Sequence, residues 1–353
     1  SISFLLFFLL LLLGIPGVVL AEAGIASKYV GDKGIENDST GRQIVINIWK
    51  TLLFLFFFST TLIISLVTIT PAMAIETICP GGTNPNPNVI WCDDFDNSTP
   101  INQKYFDYDN NGGDFVPVAG KGINNSTAMQ VKWQIGEVGA GGFKRTFGRN
   151  PVNSQSHSTT DFKEIYWRQY LKMETGWSGN PYKLSRAMIL ATSNWAQAMI
   201  AHLWGAGVGD TLMIDPASGI DANNNLATTT YNDFANLKWL GYKRVITPIF
   251  SSTYSGKWYC IEVHVKLNTP GASDGVFEYW IDNNLEAKRT DLNWVGAWQD
   301  YGINAVFFEN YWNGGAPGER IRYFDNIVIS TQKIGCLDST ESTPSPPSSL
   351  WLY

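Results

Sequence analysis

Between Lys257 and Ser330 apolar and polar residues alternate in four runs of strand length: KWYCIEVHVKL, DGVFEYWIDNNLEAKR, YGINAVFFENYW and RIRYFDNIVIS. Each is rich in Val, Ile, Phe, Tyr and Trp, and Asn, Gly, Asp and Pro separate it from the next. In the first run Tyr259, Ile261, Val263, Val265 and Leu267 fall on one side and Glu262, His264 and Lys266 on the other, because successive strand side chains face opposite ways. The same alternation runs through STAMQVKWQI, with Met129, Val131 and Trp133 against Gln130 and Lys132. In EIYWRQYLKM it sets Ile165, Trp167, Leu171 and Met173 against Tyr166, Arg168, Tyr170 and Lys172. SNWAQAMIAHLWG is apolar enough to be buried on both faces, and GDTLMIDPASGIDANNN predicts a hairpin with an extended surface loop. Strand follows strand with turns between and no helical period, which predicts an all-β, two-sheet antiparallel sandwich.

Two apolar runs stand apart from this pattern. One opens the 353-residue chain and the other spans Ile48 to Ala74; each ends in small residues, Ala21-Glu22-Ala23 and Ala72-Met73-Ala74. A signal peptide over 45–74 is the preferred reading, with 1–44 an upstream or non-native extension; a pair of membrane spans is the alternative. The β domain is then 75–336, and the Ser/Pro-rich stretch 337–353 a linker or tail. All four cysteines lie in the β domain, and an even count in an exported chain favours two disulfides. Of three pairings, Cys79 with Cys92 and Cys260 with Cys336 is preferred, on sequence proximity for the first pair alone. The expected location is secreted or cell envelope.

The formal charge of −6 argues against nucleic acid as a partner. Fourteen Trp and fifteen Tyr supply rings on which sugars stack, although cores of sandwiches also use them. Polysaccharide is the expected partner, with acidic glycan favoured by the face that interleaves Arg168 and Lys172 with Tyr166 and Tyr170, and the membrane is met only through the signal segment.

The order of strand, N-T-P-G turn, D-G-V-F-x-x-W-I-D strand and final F-D-N-I-V-I-S strand resembles the concanavalin A-like lectin/glucanase jelly rolls. Within them it is most similar to the polysaccharide lyase-like branch, which includes uncharacterised secreted bacterial proteins. The resemblance covers Cys79 to Cys336. It implies that the strand at Val89 to Phe95 lies beside the final strand, bringing Asp94 and Asp96 near Asp325, where a structural Ca²⁺ is one expectation and turn capping the other. A second calcium-like opening, Asp107, Asp109, Asn111 and Gly112, fails at its twelfth position, Val118. No other cofactor is expected.

The resemblance also implies a lyase that cleaves a uronate polymer by β-elimination. Such a reaction needs cations or amides to neutralise the uronate carboxylate and a His or Tyr to move the C5 proton. Arg168, Lys172, Arg186 and Gln197 are candidates for the first role; His202, His264, Tyr170 and Tyr311 for the second. Tyr166, Arg168, Tyr170 and Lys172, interleaved on one strand face, are expected to line the substrate trough with Lys132, Trp280 and Trp312. Gln197 and His202 share a face only if a bulge lies between them. The lyase motifs R-T-E-L-R and Q-I-H and the glucanase motif E-x-D-x-x-E are absent. A non-catalytic lectin-like module is the alternative, and a glycoside hydrolase ranks below both.

Overall fold

The computed structural model describes Cys79 and residues 86–337. The expected extension (1–44), the signal peptide (45–74) and all of the expected tail beyond Leu337 lie outside the described residues. No helix among them is long and apolar enough to cross a membrane.

In chain order the strands are β1 (Val89–Asp93), β2 (Asp107–Asp109), β3 (Phe115–Val118), β4 (Ala128–Trp133), β5 (Gly139–Thr146), β6 (Glu164–Met173), β7 (Lys183–Leu190) and β8 (Gln197–Gly205). They continue with β9 (Leu212–Ser218), β10 (Lys238–Trp239), β11 (Lys243–Arg244), β12 (Trp258–Lys266), β13 (Gly275–Ile281), β14 (Asn284–Leu292), β15 (Ala305–Tyr311) and β16 (Arg320–Ser330). The first sheet has the order β14-β13-β12-β6-β16-β4-β3, with β1 added alongside β16; the second has the order β10-β9-β8-β7-β15-β5-β2, with β11 on β9. Neighbours in both sheets pair antiparallel, giving the jelly-roll sandwich that the alternation predicts.

The alternation has a direct physical outcome. Tyr259, Ile261, Val263 and Val265 of β12, Trp167 and Leu171 of β6, and Ala187, Ile189, Val306 and Phe308 of the second sheet meet in one buried cluster between the layers. Each such large side chain contributes about 1.5–3 kcal/mol through removal from water. Six of the fourteen tryptophans, Trp91, Trp133, Trp167, Trp177, Trp294 and Trp312, belong to this cluster. Trp133, Trp177 and Trp312 pack on one another with ring centroids 5.7–6.1 Å apart at one end of this core. Trp312, expected in the substrate trough, is therefore a core residue.

The second of the four sequence runs is two strands rather than one. Asp282 and Asn283 adopt φ of 50° and 64° and turn β13 back into β14, a two-residue hairpin that Asn and Asp tolerate because their short polar chains accept the left-handed region. The two disulfides are Cys79–Cys92 and Cys260–Cys336. The second ties the chain after β16 to β12 and holds residues 334–337 across the outer face of the first sheet.

Candidate functional site

The outer face of the second sheet carries the candidate site. On β7, Ala187 and Ile189 enter the core while Arg186 and Met188 point outward; on β15, Val306 and Phe308 point in and Phe307 and Glu309 out. Two irregularities then break the alternation. Lys183 pairs with Trp204 and Ser185 with Leu203, so Leu184 is an extra residue on β7. Lys183 therefore joins Arg186 on the outer face, although the two lie an odd number of residues apart. On β8, Met199 pairs with Ile189 and Gln197 with Leu190, leaving Ala198 extra; Ala198 and Met199 both enter the core. That bulge puts Gln197 and His202 on the same face.

Arg186 is fully buried on this face and held by Glu309 at 2.7 Å, Asn232 at 2.8 Å and the Tyr231 hydroxyl. Gln197 accepts from the backbone N–H of Asn232 at 3.0 Å. Together they pin the segment between β9 and β10 onto one half of the sheet, where Tyr231, Trp195 and Leu237 cover Met188, Leu190, Ile200 and Phe307. Burial pushes the Glu309 carboxyl up, but Arg186, Lys183 and the Tyr231 hydroxyl outweigh it and hold the group below its ordinary value.

The other half stays open as a cleft. A cavity of about 710 Å³ is lined by Tyr182, Lys183, Trp204, Asn232, Phe234, Trp239, Tyr311 and Asn313. A second, of about 320 Å³, lies on the far side of Lys183 and Tyr311, which line both, and reaches Asp109, Lys144, Glu309 and Gly139, Gly141 and Gly142. Tyr311 is 37 % exposed, and the Lys183 ammonium lies 4.5 Å from the centre of its ring. Burial pushes the Lys183 pKa down, and Glu309 opposes that shift. Behind the aromatic wall His202 is buried, 3.9 Å from Trp204 and 5.6 Å from Trp239 by ring centroids. Desolvation and the nearby Arg186 push its pKa well down, so the ring is neutral. Its Nδ1 lies 3.0 Å from the carbonyl oxygen of Asp215, which only accepts, so Nδ1 carries the proton and Nε2 is the free lone pair. Among the described residues the Nε2 of His202, the Nε1 of Trp204 and the Oε2 of Glu309 are buried without a hydrogen-bond partner.

Of the residues expected from sequence, Arg186, Gln197, His202 and Tyr311 share this face, but only Tyr311 lines the cleft, and the other three are buried beside or behind it. The rest of the expected trough lies elsewhere. β6 lies in the first sheet, so Tyr166, Arg168, Tyr170 and Lys172 face away from the cleft, on the opposite side of the sandwich. The centre of that face is covered. Arg168 is fully buried beneath the segment after β16 and donates to the carbonyl of Gly335 at 3.0 Å; Tyr170 accepts from the N–H of Leu337 at 2.6 Å; Glu262 accepts from Ile334 and Gly335. Lys172 donates to the Lys121 carbonyl. His264 stacks on Tyr166 at 4.1 Å and sits between Glu278 and Glu164 at 2.7 and 2.8 Å. Trp280 lies beneath Lys333, and Lys132 pairs with Glu319 at 2.9 Å. Sequence reasoning passed over Lys183, Trp204, Trp239 and Glu309 because the alternation rule sets Lys183 with core-facing Ser185, and β8 reads as buried on both faces.

β1 does pair with β16, as the resemblance implies. The carboxylates nearby are turned onto the chain itself. Asp325 accepts from the N–H of Ile123 at 2.7 Å, Asn326 at 2.7 Å and the Ser126 hydroxyl; Asp96 accepts from Thr127 and Asp94 from Asp96. Burial, with Asp96 adding to it, pushes Asp325 up to about 7. In the Asp107–Gly112 loop Asp107 pairs with Lys144 and Asp109 accepts from the N–H of Asn111. No group of three or more His, Cys, Asp or Glu among the described residues is placed to hold a metal ion.

No family model matches the sequence, and no curated protein matches it. Solved structures are similar in chain plan. A marine PL-14 alginate lyase from Aplysia kurodai is 14 % identical, with a TM-score of 0.46 over 69 % of this chain and 99 % of that one. An endo-β-1,4-glucuronan lyase from the fungus Trichoderma reesei is 12 % identical, with a TM-score of 0.42 over 65 % and 91 %. The alginate lyase vAL-1 from Chlorella virus is 12 % identical, with a TM-score of 0.43 over 62 % and 90 %. At these values the likeness assigns no activity to the chain.

Proposed function

We propose that the chain is an exported carbohydrate-active protein that binds an acidic polysaccharide across the second sheet and cleaves it by β-elimination. The observation that carries the reading is the larger cavity, where an ammonium, Lys183, and a half-exposed phenol, Tyr311, meet beside Trp204, Trp239 and Phe234, with no carboxylate among the lining residues. The rings offer stacking faces for sugar C–H groups. Lys183 neutralises the uronate carboxylate, which makes the C5 proton easier to remove. The Tyr311 phenolic oxygen takes up that proton as the C4–O bond breaks and the C4=C5 double bond forms, and hands it on to the leaving oxygen. Protons balance and no water is consumed. Two disulfides support export.

Hydrolysis is less well supported, because a general acid needs a raised pKa and Glu309 is held low by Arg186. The non-catalytic alternative is favoured by one observation: His202, the other base of this face, has its free Nε2 shut behind Trp204 and Trp239. Release of unsaturated uronate from alginate, glucuronan and pectin, followed by ultraviolet absorbance, tests the reading. Tyr311→Phe is expected to lower kcat by about 100-fold or more with oligosaccharide binding retained, since proton transfer contributes on that order. Binding without release in the wild-type protein would leave the lectin-like reading.

A further inference from the structure

The two cavities flank the same pair, Lys183 and Tyr311, yet their chemistry differs. The larger has one charged lining residue, Lys183, and aromatic walls. The smaller has a glycine floor between two acids. Asp109 of β2 and Glu309 of β15 both pair with Gly142 of β5, from opposite sides, so the two carboxylates rise from strands about 10 Å apart across a residue without a side chain. Gly142 cannot carry one, since a Cβ there would come within 2.8 Å of the Phe308 carbonyl oxygen.

Lys183, shared with the larger cavity, lies against the Tyr311 ring, and the other cations near this floor are engaged. Lys144 pairs with Asp107, and Arg186 with the Oε1 of Glu309. That leaves the buried Oε2 of Glu309 without a donor among the described residues. A buried carboxylate oxygen with no donor is costly, and a group entering this half relieves the cost only if it brings an N–H or O–H. A second uronate carboxylate brings acceptors alone and meets like charge on both sides.

We propose that the cleft is built for a mixed polymer: a uronate residue sits over Lys183 and the aromatic wall, and a neutral residue rich in donors, a hexose or N-acetylhexosamine, sits over the glycine floor between Asp109 and Glu309. The inference rests on the cleft being the polysaccharide site proposed above and narrows its substrate from uronate polymers in general to those in which uronate alternates with a neutral sugar.

The test measures both binding and turnover for two probes of equal length, hyaluronan hexasaccharide and mannuronate hexasaccharide. Calorimetry is expected to show the hyaluronan probe bound about 10-fold or more tighter, and Asp109→Asn, an exposed change, is expected to shrink that ratio severalfold by strengthening mannuronate binding. Glu309→Gln is expected to act in the same direction, and a folding defect in it leaves the Asp109→Asn comparison standing. Equal or tighter binding of mannuronate by the wild-type protein overturns the divided cleft. A hyaluronan preference without turnover upholds it while removing the lyase reading. Failure to bind either probe removes both.

Discussion

Lys183 and Arg186 share a strand face, and burial gives them different work. Arg186 has its guanidinium committed to Glu309, Asn232 and Tyr231, whereas Lys183 lies against the Tyr311 ring at the cleft wall. Arg186→Ala would strand a buried carboxylate and is expected to cost about 3–5 kcal/mol of stability, read as a lower denaturation midpoint. Lys183→Ala is expected to leave that midpoint nearly unchanged and to raise KM or Kd for uronate oligosaccharides by about 10-fold or more, the usual worth of one charge-assisted contact. Asp325 makes a pH prediction. Its folded pKa of about 7 stands above the ordinary 3.8, so the folded state holds its proton longer than the unfolded chain does. Its contribution to stability is complete below about pH 4 and is lost as pH rises toward 7. Denaturation of wild type and Asp325→Asn across that window is expected to show the difference moving toward the variant, by on the order of 4 kcal/mol in total. A difference independent of pH would contradict the assignment.

At the scale of elements, the regular strands were legible and the irregular ones that border the candidate cleft were not. β6 and β12 follow the alternation without a break, and their core faces are the ones it names. Their outer faces looked like a trough because Arg, Lys and Tyr on a strand read the same whether open to solvent or covered, and nothing in EIYWRQYLKM shows that residues 334–337 return to cover Arg168. The candidate cleft depends on extra residues at Leu184 and Ala198, and a bulge has no signature in a run such as KLSRAMIL. His202 and Gln197 were legible as a pair only conditionally, and the condition holds. The covering segment also yields a prediction. The Cys260–Cys336 link closes 76 residues, and removing it with Cys260→Ser and Cys336→Ser is expected to lower stability by on the order of 4 kcal/mol on the chain-entropy account. Lyase turnover or glycan binding is expected to survive in the folded fraction, because the link lies on the other side of the sandwich from Tyr311. Loss of glycan binding in folded protein would move the site to the first sheet.

For the molecule as a whole, the two layers are joined by more than apolar contact. Arg322 leaves β16 in the first sheet, crosses the interior between Trp133 and Phe324, and donates to the carbonyls of Lys183 and Glu309 and to the Asn310 side chain at 2.6–3.2 Å. It has no carboxylate partner among these contacts. Burial lowers its pKa to about 9, which still leaves it charged at neutral pH. The interior thus keeps a fixed positive charge directly behind the cleft floor, where dissolved ions do not reach. Attraction between exposed charges fades within about 10 Å at 0.1 M salt, but a source sealed in protein is screened far less. Raising the ionic strength is therefore expected to erode only part of the affinity for an anionic oligosaccharide, and the affinity that persists in strong brine is expected to be smaller in Arg322→Met.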